Sequence, residues 1–300
     1  MFFSSNSVAL VGLIMTSAFW AGNIFISKVL IGVIPPITLN FLRWFLAMLV
    51  LLPFVLSQLK TAWPIIKQNK LILVVYAFLG VSLYNSLLYS AAYTTTATNI
   101  AVISTVMPLL TFIFIWLFFG KKPASNQVQG FVVGLIGVLI LLSKGDVENI
   151  TTLQFTRGDI LMLTACIAWS IYTAILVKKP AGLPAIVFLF LTVVMGSAIV
   201  FPVALVEILT TEMTIVLSEK VFYSMVYIAI FPSLLSYWLF NHGAAILGSQ
   251  TASLTAYLIP IFTAVFSIVF LNEKVYWFHI VSQMLVFLGF YLSMLKKSRS

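Results

Sequence analysis

Residues 92–108 of the chain read AYTTTATNIAVISTVMP, and residues 244–260, which lie 152 positions later, read AAILGSQTASLTAYLIP. Both stretches begin with alanine and end with proline. The same shift relates further identical pairs: Leu83 and Leu235, Thr111 and Thr263, Phe114 and Phe266, Phe118 and Phe270, Lys122 and Lys274, and Gly137 and Gly289. A shift of 149 positions relates Trp20 to Trp169, Pro35 to Pro184 and Pro53 to Pro202. The sequence therefore predicts an internal duplication, with one repeat in residues 1–150 and the second in residues 151–300.

The composition is that of an integral membrane protein. Hydrophobic residues make up 62% of the chain, charged residues only 8%, and the mean hydropathy is +1.15. A soluble domain carries about a quarter charged residues, so this chain cannot present a water-soluble surface. The net charge of +9 could suggest a nucleic-acid partner. We expect none, because the basic residues lie in short connections between hydrophobic stretches and the lipid bilayer is the better partner.

The hydrophobic stretches predict an all-α integral membrane protein with ten transmembrane helices. The predicted spans are residues 8–28, 37–58, 71–92, 98–119, 127–143, 159–177, 184–207, 221–241, 250–270 and 275–295. Five spans in each half would place the second repeat upside down relative to the first. Two inverted five-helix repeats are typical of alternating-access transporters.

The charges between the spans predict the orientation. Ten Lys and Arg residues fall on the side that carries both predicted termini, and five fall on the other side. All seven Asp and Glu residues fall on that second side. Because basic loops stay in the cytoplasm, we expect a multi-pass protein of the cell inner membrane with both termini cytoplasmic.

Helix-breaking residues occur at matched positions. Pro108 and Pro260 lie near the middle of the fourth and ninth predicted spans, and Gly80 aligns with Pro232 in the third and eighth. A proline inside a helix removes one backbone hydrogen bond. These four positions are either static kinks or hinges that line a substrate path, and we treat them as candidate hinges.

Gly130, Gly134 and Gly137 form a small-residue face on the fifth predicted span. Such faces allow two helices to approach closely. We expect packing within the chain and a monomer, with a homodimer contact as the alternative.

Polar and aromatic side chains follow single faces of several predicted spans. A polar face in a transmembrane helix points to other helices or to water, and such residues can line a pocket. The candidate cavity residues are Trp20, Asn23, Tyr84, Asn85, Thr105, Trp169, Tyr172, Tyr237, Asn241 and Tyr257. For Trp20 and Trp169, buried packing without a binding role is the alternative.

Arg43 carries a permanent charge inside the second predicted span, in the outer part of that span. One interpretation is structural, with the guanidinium bonded to backbone carbonyls or extended toward the interface. The other is a counter-charge for a substrate carboxylate or a gating contact.

Several chemistries lack the residues they need. No Asp or Glu falls near mid-membrane, and His242 and His279 fall at opposite membrane faces, so no acid–base pair or metal site is expected. Cys166 is the single cysteine, and no phosphate-binding G-x-x-x-x-G-K-[ST] loop occurs. The sequence favours a non-enzyme without cofactor, working by facilitated diffusion or weak proton coupling. An intramembrane sensor or enzyme is the alternative from a different class.

Several motifs carry a family resemblance across the whole chain. They are Phe41-Leu42-Arg43-Trp44, the stretch Ala91–Pro108, its partner Ala244–Pro260, and Phe270-Leu271-Asn272-Glu273-Lys274. On these residues the chain resembles the EamA family of the drug/metabolite transporter superfamily. It departs from the family at residues 118–122, FFGKK, where an acidic residue is common.

The resemblance implies ten helices around a central cavity that opens to each side in turn. It also implies that the lining comes mainly from spans one, three, four, six, eight and nine. Family members export amino acids and related metabolites or carry sugars, nucleotide-linked compounds or drugs. The neutral, aromatic candidate lining favours a small amphipathic or zwitterionic metabolite, such as an amino acid. A drug or a sugar- or nucleotide-type solute is the alternative.

Overall fold

A computed structural model describes residues 5–143, 145–146, 148, 156–211, 218–271 and 276–295. These residues form helices joined by short connections, with no strand among them. The helices are α1 Ser5–Val29, α2 Pro36–Gln68, α3 Lys70–Ala92, α4 Ala97–Phe119, α5 Ser125–Leu142, α6 Arg157–Lys178, α7 Ala185–Thr210, α8 Glu219–Leu247, α9 residues 249–271, and α10 Trp277–Met294. Residues 272–275, part of the quoted family motif, and Lys144 lie outside the described residues.

Within the described residues, eight helices are long and apolar enough to cross a membrane, namely α1 to α4 and α6 to α9. The predicted boundaries are close to the observed ones except at two helices. The helix predicted at 37–58 continues to Gln68, so only Asn69 separates α2 from α3. The helix predicted at 221–241 continues to Leu247. Pro36 suits the first turn of α2, where a missing N–H leaves no hydrogen bond unmade.

Local sequence explains several helix ends. Thr156 and Asp159 form a capping box at the start of α6, in which each side chain accepts from the other residue's backbone N–H. Gly248 joins α8 to α9 with a φ of 87°, a backbone conformation that residues with a Cβ rarely adopt. That single-residue joint brings the end of α8 against the start of α9.

Extensive helix contacts join α5 with α10, and α2 with α7. In addition, α1 packs on α8 and α9, and α3 packs on α6. The largest cluster of buried hydrophobic residues runs through α1 to α4 and α6 to α9. A smaller cluster, which contains Tyr257 and Phe131, lies among α4, α5, α9 and α10.

Two pairs of helices are interrupted at matched places. A π-helical segment occupies Ala77–Leu83 in α3, and another occupies Ile230–Leu235 in α8. A 3₁₀ turn at Ser104–Val106 precedes Pro108 in α4, and one at Thr255–Tyr257 precedes Pro260 in α9. The predicted breaks at Gly80 and Pro232 therefore lie inside the π segments. Irregular turns of this kind often occur at functional sites.

The glycine face of α5 packs against α10 within the chain. A Cβ on Gly130 would lie 2.0 Å from Ser293 Oγ and 2.3 Å from the Gly289 carbonyl oxygen. A Cβ on Gly137 would lie 2.9 Å from the Ser282 carbonyl oxygen. These contacts agree with the expected packing within the chain. Helix α10 covers the glycine face that was considered for a homodimer.

We predict that Gly130→Ala destabilises the protein and that Gly134→Ala does not. At Gly130 the new methyl group overlaps backbone atoms of α10, an overpacking that costs about 1–3 kcal/mol. At Gly134 it would only reach ordinary contact, 3.4 Å from the Tyr257 ring. Thermal unfolding of the two variants in detergent, monitored by size-exclusion chromatography, checks this prediction. Equal melting temperatures would contradict the described contact between α5 and α10.

Candidate functional site

Aromatic rings from four helices meet in the middle of the molecule. We call Trp20, Tyr84, Trp169, Tyr172, Tyr237 and Phe240 the aromatic cluster. The Trp169 ring centroid lies 4.9 Å from Trp20, 5.0 Å from Tyr84 and 4.9 Å from Tyr172. The same centroid lies 5.3 Å from the Tyr237 ring and 5.2 Å from the Phe240 ring. Tilted and edge-on ring pairs at these separations each add about 0.5–1.5 kcal/mol beyond the area that they bury. The cluster therefore holds α1, α3, α6 and α8 together.

The π segment of α3 presents a backbone acceptor beside this cluster. The Gly80 carbonyl oxygen accepts a hydrogen bond of 2.8 Å from Asn85 Nδ2 and another from the Tyr237 hydroxyl of α8. Asn85 Nδ2 also lies 3.0 Å from the Tyr237 hydroxyl oxygen. A π segment opens the regular ladder of the helix and exposes carbonyls to side-chain donors. Polar side chains of both halves thus meet at Gly80.

The π segment of α8 presents a second acceptor. Pro232 has no N–H, so the carbonyl four residues earlier, that of Ile228, loses its usual helical donor. Ser233 Oγ donates to this carbonyl at 2.5 Å. The carbonyl of Pro232 itself accepts from Arg43 Nη2 at 2.9 Å and from Trp20 Nε1 at 3.3 Å. Donors from the first half therefore satisfy the broken turn of the second half.

Arg43 connects α2 to both broken helices. Its Nη1 donates to Asn85 Oδ1 at 2.8 Å and to the Tyr89 hydroxyl at 2.7 Å, and its Nε donates to Ser233 Oγ. The side chain is 1% exposed, and its guanidinium carbon lies 4.7 Å from the centre of the Trp44 ring. An arginine has five N–H donors. These three contacts, together with the one to the Pro232 carbonyl, use four of them. A bidentate grip on a carboxylate needs two, so it would have to displace one of these contacts, while a gating role for Arg43 stays a prediction.

Asn23 belongs to the same network. The Tyr89 hydroxyl, which accepts from Arg43, donates to Asn23 Oδ1 at 2.7 Å. Asn23 is 3% exposed, so the chain from α2 through α3 to α1 is buried. A buried network whose members are all bonded fixes the relative positions of its helices.

At one end of the molecule the bundle is open. Two adjoining cavities of about 510 and 460 Å³ share Val177, Gly248 and Ser249 in their walls. We call them together the vestibule. It lies between the ends of α4, α6 and α8 and the start of α9.

A hydrogen bond links the aromatic cluster to α8 near the vestibule. The Tyr172 hydroxyl donates to Asn241 Oδ1 at 2.8 Å. Ala174 and Ala244, which line the vestibule, lie within one helical turn of these two residues along the chain. The pair thus lies close in sequence to the vestibule walls.

At the opposite end, polar contacts hold the helices together; we call them the clasp. The Glu207 carboxylate of α7 accepts from Thr38 N at 2.6 Å, from Thr38 Oγ1 at 2.8 Å and from Ile37 N at 3.2 Å. A carboxylate at the first turn of a helix also interacts favourably with the helix dipole. Lys28 Nζ donates to the Thr95 carbonyl at 2.8 Å, and Thr95 Oγ1 donates to Asp159 Oδ1. The structure is therefore fastened at this end and open at the vestibule.

Two predicted cavity residues lie away from the cluster. Thr105 is buried on α4 and donates to the Val102 carbonyl at 2.6 Å, a bond within its own helix. Tyr257 packs in the smaller hydrophobic cluster beside Phe131, with ring centroids 6.3 Å apart. The buried hydroxyl of Tyr257 has no hydrogen-bond partner among the described residues. The structure brings the other eight predicted cavity residues into the cluster or its polar network.

Three residues of this centre were not among the predicted site residues: Trp44, Ser233 and Phe240. Helical spacing carries a signal for Phe240, because it lies three positions after Tyr237. Ser233 directly follows a mid-helix proline, where a hydroxyl can replace the lost donor.

His242 points away from the centre. Its ring stacks on Trp238, with centroids 5.7 Å apart and planes at 6°. Both side chains are exposed, whereas Tyr237 and Asn241 on the other face of α8 are buried. The described residues contain no group of three His, Cys, Asp or Glu side chains that could hold a metal.

Comparison with known proteins gives the class of the chain. The family model described as the EamA-like transporter family matches residues 7–143 and 156–295. An uncharacterized transporter of Archaeoglobus fulgidus is 25% identical over 292 residues, which cover 97% of this chain and 99% of the relative. The uncharacterized transporter YyaM of Bacillus subtilis is 27% identical over 230 residues, 75% of this chain and 73% of the relative.

A solved crystal structure shares the fold. It superposes with a TM-score of 0.73 at 17% sequence identity and covers 97% of this chain and 96% of its own. Eight helices that can cross a membrane, together with relatives that are named transporters, one of them matched over nearly its full length, define a multi-pass membrane transporter. The chain belongs to the EamA-like transporter family. The family resemblance of the sequence motifs is thereby confirmed.

We predict that Arg43→Lys lowers the free energy of unfolding by about 2–4 kcal/mol, because each buried acceptor left without a donor costs about 1–3 kcal/mol. An ammonium group cannot reach four acceptors in the geometry that a guanidinium spans. Arg157→Lys, on the exposed first turn of α6, is the matched control. Thermal unfolding in detergent checks the difference, and equal melting temperatures would contradict the described network.

Proposed function

We propose that the protein moves small amphipathic or zwitterionic metabolites, such as amino acids, across the membrane by alternating access. The observation that carries this proposal is the position of the aromatic cluster. It lies between an open vestibule and a fastened clasp, where four helices meet. Aromatic faces and neutral hydrogen-bonding groups suit a solute with an apolar side and a few polar atoms.

We further propose ten spans in two inverted repeats, residues 1–150 and 151–300, with α5 and α10 completing the set. Contacts between repeat mates support this arrangement. Trp20 and Trp169, which are 149 positions apart, are in ring contact, and Asn85 and Tyr237, 152 positions apart, are hydrogen bonded. A residue can touch its own mate only close to the axis that relates two copies. The family match, which falls into two stretches, agrees with a division near residue 150.

In this proposal the termini are cytoplasmic in the inner membrane, and the vestibule faces the cytoplasm. Lys121, Lys178 and Lys179 lie on the vestibule walls, as expected for a cytoplasmic end. A chain open to the cytoplasm and fastened outside is poised to load a solute for export. Opening of the clasp and closure of the vestibule, with bending at Gly80, Pro108, Pro232 and Pro260, would complete the cycle.

Facilitated diffusion or weak proton coupling fits this centre better than tight proton coupling. Arg43 and Asp159 are the buried charged residues of the described part of the chain, and Asp159 belongs to the clasp. Strong coupling needs a titratable group on the solute path, and His242 lies on the outward face of α8. A sugar phosphate is disfavoured among the alternative solutes, because the donors of Arg43 are occupied. The transporter relatives favour a carrier over a sensor or enzyme.

We predict that Trp20→Phe and Trp169→Phe each reduce solute exchange about tenfold, since loss of an indole ring and its N–H removes contacts worth roughly 1–2 kcal/mol. Phenylalanine keeps most of the packing, so both variants fold. Trp63→Phe is the control, because Trp63 is 62% exposed on α2. Counterflow of a labelled panel of amino acids, sugars and nucleotides into proteoliposomes without an ion gradient measures the exchange.

Unchanged exchange in both central variants, with folded protein, would contradict a path through the cluster. Absence of exchange for every solute class without a gradient, and its appearance with a pH gradient, would contradict facilitated diffusion.

A further inference from the structure

The vestibule walls are basic. Lys121 and Lys178 line the larger cavity, and Lys179 lines the adjoining one. None of the described residues that line the two cavities is Asp or Glu. A concave site with charge of one sign raises the local concentration of ions of the opposite sign.

Among the described residues, the lysines at the end of α6 lie against aromatic rings. Lys178 Nζ is 5.7 Å from the centre of the Phe119 ring, and Lys179 Nζ is 5.3 Å from that of Phe188. Burial lowers the pKa of Lys179 from its ordinary value, because the ammonium has lost part of its hydration. A ring face attracts a cation but accepts no strong hydrogen bond from it, so the ammonium donors stay available to an anion.

A neutral donor lies beside the same space. Gln250, at the start of α9, lines the larger cavity, and its Nε2, which is shielded from solvent, has no hydrogen-bond partner among the described residues. A buried N–H group without an acceptor costs free energy, and an oxygen of a bound solute would remove that cost. An amide N–H and two ammonium groups are donors of the kind that the oxygens of a carboxylate accept from.

We propose that the vestibule is a binding site for the carboxylate group of a solute, held by Lys121, Lys178 and Gln250. The site rests on the proposed function, for which it supplies the first recognition step. It supplies the cationic contact that Arg43, with its donors occupied, does not offer. The phosphate of an anionic lipid has similar chemistry, and the experiment separates the two sources.

The test is equilibrium binding to the purified full-length chain in phosphatidylcholine nanodiscs, measured by fluorine NMR. The probes are 4-fluorobenzoate and its neutral counterpart 4-fluorobenzamide. We expect benzoate to bind several-fold more tightly than benzamide. The double variant Lys121→Gln/Lys178→Gln should weaken benzoate binding about tenfold, as expected for the loss of charge-assisted hydrogen bonds. Gln250→Leu should weaken it about threefold to tenfold.

The matched control is Lys60→Gln/Lys67→Gln. It removes two exposed lysines of α2 that do not line the vestibule, and it changes the net charge equally. Benzoate affinity should stay within about twofold in this control, since exposed charges act weakly at a distance. Equal weakening in both double variants would overturn the proposal in favour of a general surface potential. Equal affinity for benzoate and benzamide would overturn it as well.

Nanodiscs with phosphatidylglycerol form the lipid arm. This lipid could abolish benzoate binding to the wild type and leave the residual binding of the Lys121→Gln/Lys178→Gln variant unchanged. In that case a lipid headgroup occupies the vestibule, and the proposed solute site is wrong. The binding assay is independent of flux. Vestibule-dependent binding without any exchange in proteoliposomes would contradict the proposed transport alone, whereas exchange without vestibule-dependent binding would contradict this site alone.

Discussion

A backbone carbonyl inside a bilayer must find a hydrogen-bond donor within the protein, because lipid offers none. The chain breaks two of its helices in the middle, at Ala77–Leu83 and Ile230–Leu235. The donors that reach the exposed carbonyls include side chains of the other half of the chain. Tyr237 donates to Gly80, and Arg43 and Trp20 donate to Pro232. The contact between the two halves is thus a consequence of the broken turns, and the aromatic cluster is built around it.

This exchange of donors gives the centre two properties that the proposed transport path needs. It is specific, because each carbonyl has a directed partner, and it is polar without being charged, apart from the enclosed guanidinium. Side-chain hydrogen bonds can also be exchanged more easily than a continuous helical ladder. A helix that bends at Gly80 or Pro232 loses few backbone bonds, because the ladder is already open there. The clasp and the vestibule lie at opposite ends of the bundle, and we propose that α3 and α8 bend near their middle.

The sequence predicted the helices well and their partners poorly. Hydrophobic length located the helices, and matched proline and glycine positions located the four breaks. Helices and breaks both follow from the local sequence. The extension of α2 to Gln68 was missed because Lys60 and Lys67 resemble a loop, although exposed lysines are ordinary at a helix end outside lipid. Helical spacing shows which residues share a face, but not which helix lies opposite. It therefore grouped Tyr257 with the centre, although α5 and α10 enclose it. For Arg43 it did not show that Asn85, Tyr89 and Ser233 accept from the guanidinium.

The central claim is that the aromatic cluster is reached from each side of the membrane in turn. The most direct test places one cysteine at the cluster, Tyr84→Cys in a Cys166→Ser background, and measures its labelling by a membrane-impermeant thiol reagent in vesicles of either orientation. A second form carries Lys28→Cys and Thr95→Cys, which a bifunctional thiol reagent joins across the clasp before labelling. The account predicts labelling from both sides when the clasp is free, and from the vestibule side alone when it is crosslinked. Labelling from one side only, whether or not the clasp is crosslinked, would contradict it.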